Sequence, residues 1–235
     1  MTGIAFIARQ ASFDDAREVF PPVAEGLLGW FYPRGGPDRA AINYAAGGRD
    51  GAIVGSPVIQ SGFMECQGGA HYLQTDLPET PAFTWLVAAA NNDTLAGNAT
   101  RPTLMGNYDN GLSGSSMWIS TATVVAGNTF ATTSTSRTLT VANVSAFRLY
   151  ALQVAATGSI TLHDLSAGIS AHTASSNGHV VGGRKIAIGY AAASAFAGKS
   201  KIAHASIFDR LLDESELAAL YSFIKFDLSH VGVAI

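Results

Sequence analysis

Aromatic, carboxylate and amide side chains with the chemistry of a ligand site stand in two polar loops. One loop contains Asp93, and the other contains Tyr108, Asp109 and Asn110, with Trp118 shortly after it. A carbohydrate site needs an aromatic platform and a few fixed hydrogen-bond partners. The sequence therefore predicts a site in which Tyr108 and Trp118 are platforms and Asp93, Asp109 and Asn110 are polar partners. Trp118 also lies in an alternating strand pattern, so a place in the core is the alternative for its ring.

The same loops could supply oxygen ligands, because residues 91–93 and 107–110 each combine one aspartate with amides and carbonyls. Calcium needs six to eight oxygens, usually including several carboxylates. Turn stabilisation by Asn and Asp is therefore the favoured interpretation, and a loose calcium site is the alternative. The histidines are scattered without zinc spacing, and His172 and His179, which share a loop, are predicted to lie on the surface. We expect no resident metal or cofactor.

The densest acidic cluster, Asp213, Glu214 and Glu216, has a structural explanation. Asp213 at the N-cap and Glu216 three residues later form a capping box. The apolar residues that follow have helical spacing: Leu217, Leu220, Tyr221 and Ile224. The pattern predicts one short helix from Asp213 to Phe223. A helix this short is marginal alone, so its apolar stripe must dock on another element.

The elements that must position these residues are β-strands. Most periodic segments alternate with period two, and residues 83–90 are apolar on both alternating faces. The segment 83–90 is therefore predicted to be a central strand whose outer face is covered by a helix or lies under a pocket. The pattern favours an all-β fold with a docked helix.

Several segments also follow a known order of motifs. Near the C-terminus, a strand ending in Ile-Gly is followed by a Phe-Ala-Gly turn, a strand ending in Asp-Arg and the capped helix. Four earlier segments fit the same order of motifs: 27–33, 43–51, 63–73 and 147–168. From about Leu27 to Tyr221 the chain resembles concanavalin A-like, laminin-G-like domains. The resemblance implies an antiparallel β-sandwich of jelly-roll type over residues 25–223, with an N-terminal arm (1–24) and a C-terminal tail (224–235). Tyr72 falls in a family hairpin, as a core or edge aromatic.

The resemblance also bears on catalysis. Glycanases of this fold carry Glu-x-Asp-x-x-Glu on one strand, where alternation points the carboxylates into one cleft. This chain has no such spacing, and it has no Gly-x-Ser-x-Gly elbow for a serine nucleophile. We therefore expect a protein that is not an enzyme.

Composition limits the partners and the compartment. The chain has 235 residues, 13% charged and 48% hydrophobic, with a formal net charge of -3. That charge balance gives no basis for binding nucleic acid or an anionic membrane. Cys66 is the sole cysteine and is predicted to be buried and unreactive. Neither a signal peptide nor an apolar run of membrane-spanning length is recognisable, so we expect synthesis in a cytoplasm.

These observations favour a non-enzymatic bacteriophage virion protein, a tail-fibre, tail-tip or baseplate component with a lectin-like domain that binds host-surface glycans or serves assembly. The virion is the expected location, and other virion proteins are expected partners. A cellular carbohydrate-binding or adhesion module is the first alternative, and a glycan-cleaving enzyme is the second.

Both ends of the chain are apolar outside the predicted domain, at Ile4, Phe6 and Ile7 and again from Phe226 to Ile235. Either these segments fold back on their own sandwich as strands or they cover a neighbour. Contact with a neighbour is favoured, which predicts a homo-oligomer, of which a trimer is the common form in virion appendages.

Overall fold

The computed structural model describes residues 20–109, 113–130, 133–192 and 195–235. Within these residues the chain forms fourteen strands and two α-helices, with a 3-10 turn at Asn98–Thr100. The helices are α1 Pro37–Ala40 and α2 Glu214–Ser229. The strands are β1 Leu27–Phe31, β2 Ala52–Val54, β3 Met64–Gln67, β4 Tyr72–Pro78, β5 Phe83–Asn91, β6 Thr103–Gly106, β7 Ser115–Thr121, β8 Val124–Thr129, β9 Thr135–Thr140, β10 Arg148–Val154, β11 Ile160–Asp164, β12 Ile169–Thr173, β13 Lys185–Ile188 and β14 Lys199–Phe208.

The strands form two seven-stranded sheets. The helix-side sheet has the order β1-β14-β5-β10-β11-β12, with β3 also paired to β14. The groove-side sheet has the order β2-β4-β13-β6-β7-β8-β9. The paired strands run antiparallel in both sheets. The prediction of an all-β antiparallel sandwich with a C-terminal helix is confirmed.

The main core lies between the two sheets. It contains Phe83, Trp85 and Tyr150 from the helix-side sheet and Met105 and Met117 from the groove-side sheet, all with 0–1% of their surface exposed. Period-two alternation supplies these side chains, since each strand sends every second residue inward. The remaining side chains of the groove-side sheet are thereby free to face away from the core.

Helix α2 covers the outer face of the helix-side sheet. Its buried residues Leu217, Leu220, Ile224 and Leu228 belong to a second apolar cluster that also contains Leu86 and Ala88 of β5 and Leu149 and Ala151 of β10. This cover explains why β5 is apolar on both faces, as its sequence predicts. The capping box is also present, because Asp213 accepts a hydrogen bond from the Glu216 backbone and the Glu216 side chain accepts one from the Asp213 backbone.

The predicted C-terminal boundary of this helix is wrong. The helix continues past Phe223 to Ser229, because Leu228 extends the stripe of Leu220 and Ile224 at helical spacing. Val233 then folds back and is buried in the same cluster. The favoured prediction that this segment covers a neighbour is therefore corrected: it packs on its own sandwich, as a helix and not as strands.

Two further expectations concern the N-terminus and the cysteine. Ile4, Phe6 and Ile7, and with them most of the predicted N-terminal arm, lie outside the described residues. Cys66 is buried with a free thiol, as predicted, and burial raises its pKa strongly. Within the described part of the chain, no helix has the length and apolar character needed to cross a membrane.

Candidate functional site

A groove of about 700 Å³ crosses the outer face of the groove-side sheet at β2, β4, β13 and β6. One row of residues in register forms its floor: Ala52, Gln74, Ala187 and Gly106. Three of these four have a methyl group or no side chain, so the Gln74 carboxamide stands among small neighbours. A Cβ at Gly106 would lie 2.7 Å from the Cβ of Ala191 and 2.9 Å from the carbonyl oxygen of Ser115, so this position requires glycine.

Two tyrosines line the groove beside that floor. Tyr72 and Tyr190 pack with ring centroids 4.7 Å apart and planes tilted by 37°, and both residues are half-buried. Tyr72 projects outward because its neighbour Leu73 points into the core. Tyr190 reaches it from the turn after β13, where Gly189 has a φ of 85°, a conformation suited to glycine. The pair therefore offers a partly exposed aromatic surface at the groove.

The carboxamide of Gln74 is held in one orientation. Its Nε2 lies 3.1 Å, 3.3 Å and 3.2 Å from the backbone carbonyls of Thr75, Lys185 and Ile186 respectively. These contacts identify the nitrogen side of the amide and turn Oε1 away from the three carbonyls. Among the described residues, Oε1 has no hydrogen-bond donor, and it is thus a fixed acceptor at the groove floor.

The other end of the groove is charged. Asp76 lies 3.0 Å from the Arg49 guanidinium and 3.7 Å from the Lys185 ammonium. The hydrogen bond from Arg49 and the charge of Lys185 lower the pKa of Asp76 below its usual value. This carboxyl group is therefore ionised at neutral pH, where it can accept hydrogen bonds but cannot donate a proton.

Of the sequence-predicted loop residues, Asp109 comes to the rim of this groove. Its carboxylate accepts a 3.0 Å hydrogen bond from the Nε of Arg184, which lines the groove. The neighbouring Tyr108 is half-buried and packs on Phe130, with ring centroids 4.6 Å apart. Asn110 lies outside the described residues.

The other two predicted residues lie elsewhere. Trp118 is half-buried on the outer face of β7, where it packs on Phe196 with centroids 5.3 Å apart. Asp93 accepts hydrogen bonds from the backbone of Thr94 and of Lys199, at the start of β14. The structure does not bring Trp118 or Asp93 to the groove, and the role of the five predicted residues as ligand contacts stays a prediction.

The contacts of Asp93 are those of a residue that stabilises a turn, the favoured interpretation of its loop. Within the ranges that the structure describes, no three His, Cys, Asp or Glu side chains are grouped as a metal site. His172 is exposed, as predicted, but it lies in strand β12 and does not share a loop with His179. The side chain of His179 is buried against Glu79, so its predicted surface position is wrong.

The main groove residues did not stand out in the sequence. Tyr72 was expected in the core or at a sheet edge, but its ring lines the groove. Gln74 and Tyr190 carry no motif, since their roles depend on pairing between β4 and β13. The available signal was the alternation Tyr72, Gln74, Asp76, which places three ligand-competent side chains on one face of a strand.

Comparison with known proteins gives a fold and no family. No protein-family profile matches the sequence, and no curated protein matches it. Solved structures do match. A binding domain of botulinum neurotoxin DC in complex with SialylT superposes with a TM-score of 0.67 at 8% identity, over 87% of this chain and 52% of that one.

Two further botulinum structures give the same result. One is of neurotoxin type C, whose description concerns cell entry and two ganglioside molecules, with a TM-score of 0.63, 10% identity, and coverage of 85% of this chain and 51% of that one. The other is the binding domain of serotype G, with a TM-score of 0.62, 13% identity, and coverage of 85% and 51%. The present chain spans about half the length of these structures, and at such identities the likeness establishes a shared fold.

Proposed function

We propose that this chain is a carbohydrate-binding module and that the groove on the groove-side sheet is its site. The observation that carries the proposal is the Tyr72–Tyr190 ring pair beside Oε1 of Gln74, a fixed acceptor that has no donor among the described residues. A sugar ring has apolar C–H faces and hydroxyl groups at its edge. It can lie against a tyrosine ring while a hydroxyl donates to Gln74, which is the combination of apolar surface and few polar groups typical of ligand sites.

The structural neighbours support this proposal by what their descriptions name. One is a binding domain in complex with SialylT, and another is described by the interaction of neurotoxin type C with two ganglioside molecules. A shared fold does not determine function, so the geometry of the groove is the main support for carbohydrate binding and the structural neighbours are additional support.

We propose binding without cleavage. A glycosidase needs one carboxyl group that is protonated and a second that is ionised across the scissile bond. In the groove, Asp50 accepts a hydrogen bond from the backbone of Asn43, and Asp76 is held ionised by Arg49 and Lys185. Neither carboxyl group is arranged as a general acid.

The biological setting rests on the sequence alone. The concanavalin A-like family, the place in a bacteriophage tail and the virion partners stay predictions from the resemblance. The homo-oligomeric state stays a prediction that now rests on the apolar N-terminal residues Ile4, Phe6 and Ile7, because the C-terminal segment packs on its own sandwich. A cellular adhesion module would use the same groove. The genes next to the coding sequence would separate these two settings, because a phage tail gene lies among other virion genes.

A glycan microarray probed with the purified chain tests the proposal, followed by calorimetry with the best-bound oligosaccharide. Tyr190→Ala should weaken its affinity at least tenfold, equivalent to about 1.4 kcal/mol. Tyr190→Phe should keep the affinity within about threefold, because the ring face remains.

Tyr108→Ala is the matched control, since Tyr108 is a half-buried tyrosine of the predicted loop site. The groove proposal predicts unchanged affinity for this variant. Loss of binding in Tyr108→Ala with normal binding in Tyr190→Ala would move the site to the loop. A blank array would remove the carbohydrate-binding function.

A further inference from the structure

We infer that the ligand is an uncharged oligosaccharide that lies along β4, from the tyrosine pair past Gln74 to the charged end at Asp76. This inference rests on the proposed function and adds the class of glycan. Two independent observations carry it: the length over which ligand-competent side chains face the groove, and the balance of charge around it.

The length follows from strand geometry. Tyr72, Gln74 and Asp76 are alternate residues of β4 and line the same groove. Four residues of antiparallel strand cover about 13 Å. That distance exceeds the width of one sugar ring, so a ligand that contacts both the tyrosines and Asp76 needs more than one ring.

The charge balance follows from the ion pairs. Arg49 and Lys185 both face Asp76, and Arg184 faces Asp109. Asp50 adds a third carboxylate and accepts a backbone hydrogen bond. Within the described residues, the groove and its rim therefore hold three acidic and three basic side chains: Asp50, Asp76, Asp109, Arg49, Arg184 and Lys185. Each of the three basic side chains already has a carboxylate within 4 Å.

This balance removes the usual advantage of an anionic sugar. A sialic acid or sulfate group would have to displace Asp76 or Asp109 from its cation and would then face the displaced carboxylate. The pairs are exposed, so each is weak, and the exchange of one carboxylate for another brings little gain. A neutral hydroxyl instead donates to Asp76 or to Gln74 without breaking a pair. Affinity should then depend little on ionic strength, since no net charge is neutralised.

The test uses matched oligosaccharides on one array. Each neutral oligosaccharide of two to five rings is printed beside the same oligosaccharide bearing a sialic acid or a sulfate. The inference predicts that neutral members bind at least as well as their charged partners and that binding appears with two or more rings. Calorimetry with the best neutral member should give dissociation constants within about twofold at 50 mM and 500 mM NaCl.

Each outcome separates the inference from the function on which it rests. Binding confined to sialylated or sulfated members, with affinity that falls tenfold or more at high salt, would overturn the inference and leave carbohydrate binding in place. Full affinity for a monosaccharide would overturn the length argument. An array without any bound member would overturn the proposed function itself.

Discussion

Glu79 and His179 form a buried pair at the point where the loop before β13 meets the end of β4. Their side chains are fully buried, with 3.4 Å between Nε2 of His179 and Oε2 of Glu79. The same Oε2 accepts hydrogen bonds from the backbone N–H of Gly182 at 2.6 Å and from the side chain of Asn107 at 3.2 Å. The pair thus fixes the segment that leads directly to Gly183 and Arg184, which line the groove.

The second ring nitrogen of His179 decides the protonation state of the pair. Nδ1 lies 2.9 Å from the carbonyl oxygen of Pro81, which can only accept, so Nδ1 carries a proton. Nε2 then faces Glu79 either as a lone pair or as a second N–H. Burial of the ring is the largest single influence and lowers the pKa of His179. The contact with Glu79, the charge of Glu79 and the hydrogen bond to Pro81 together outweigh burial, and the pKa is raised above 6.5.

We predict that the stability contributed by His179 is lost at alkaline pH. A histidine whose folded-state pKa is raised contributes stability fully below its unfolded value of 6.5, and this contribution is lost as pH rises through the folded-state pKa. Urea denaturation of the wild type at pH 6 and at pH 9 should show the loss. His179→Gln should cost roughly 3–5 kcal/mol at pH 6, because it leaves the Glu79 carboxylate buried without its cation.

His172→Gln is the control, because His172 is an exposed histidine near the same loop. It should change the free energy of unfolding at pH 6 by no more than about 0.5 kcal/mol, because the side chain is exposed. If His179→Gln showed the same loss between pH 6 and pH 9 as the wild type, His179 would not be the group that titrates.

The burial of His204 predicts the opposite dependence of protein stability on pH. It is fully buried in β14 beside Trp30, with ring centroids 4.4 Å apart, and neither of its ring nitrogens has a hydrogen-bond partner among the described residues. Burial, with a smaller effect of Arg34, lowers its pKa to about 3. The fold therefore holds the neutral ring, and stability that is complete above pH 6.5 is lost as pH falls toward 3.

The loss attributable to His204 should be about 3 kcal/mol between pH 7 and pH 4. Denaturation curves of the wild type and of His204→Phe, which has no titrating ring, measure this contribution. The variant should show a flatter profile below pH 6.5, provided that its near-ultraviolet circular dichroism at pH 7 is native. Parallel profiles for the two proteins would contradict the assignment.

Docking of α2 on the helix-side sheet predicts a large cost for truncating its buried face. Leu220→Ala should lower the free energy of unfolding by about 2–5 kcal/mol, because Leu220 is fully buried against the sheet. Phe226→Ala is the matched control on the same helix, since Phe226 is 67% exposed. It should change the free energy by no more than about 0.5 kcal/mol. Equal effects of the two substitutions in urea would disprove the docking.

Removal of the capping box should destabilise the protein less than truncation of Leu220 does, and it should leave the affinity for ligand unchanged. Asp213→Ala should lower the free energy of unfolding, by less than Leu220→Ala does, because it removes the acceptor for the backbone N–H of Glu216. Asp213 does not line the groove, so the dissociation constant for the best-bound oligosaccharide should stay the same. A tenfold loss of affinity in a stable Asp213→Ala protein would show that this carboxylate contacts ligand.

The parts of the fold that follow from local patterns could be predicted from the sequence. The burial of β5 on both faces followed from its apolar run, and the start of α2 followed from the Asp213–Glu216 spacing. The end of α2 was missed because Phe226 and Leu228 also fit an alternating strand pattern. Only docking shows that Leu228 is buried and Phe226 exposed.

The site could not be predicted because it depends on register between distant strands. Tyr72 and Tyr190 lie far apart in sequence and meet only because β4 pairs with β13. Likewise, the pair of Glu79 and His179 joins two loops that no motif connects. Asp109 came to the rim of the groove through Arg184, a partner that its own loop sequence does not reveal.

The central claim is the location of the ligand, and a nuclear magnetic resonance titration tests it most directly. The best-bound oligosaccharide is added to isotope-labelled protein while the backbone and side-chain amide signals are followed. If the ligand lies in the groove, the largest shifts are expected at the Gln74 side-chain amide and at the backbone amides of Tyr72, Ala187 and Tyr190, with little change at Trp118 and Asp93. Saturable shifts centred on Trp118 or Asp93, with the Gln74 amide unmoved, would contradict it.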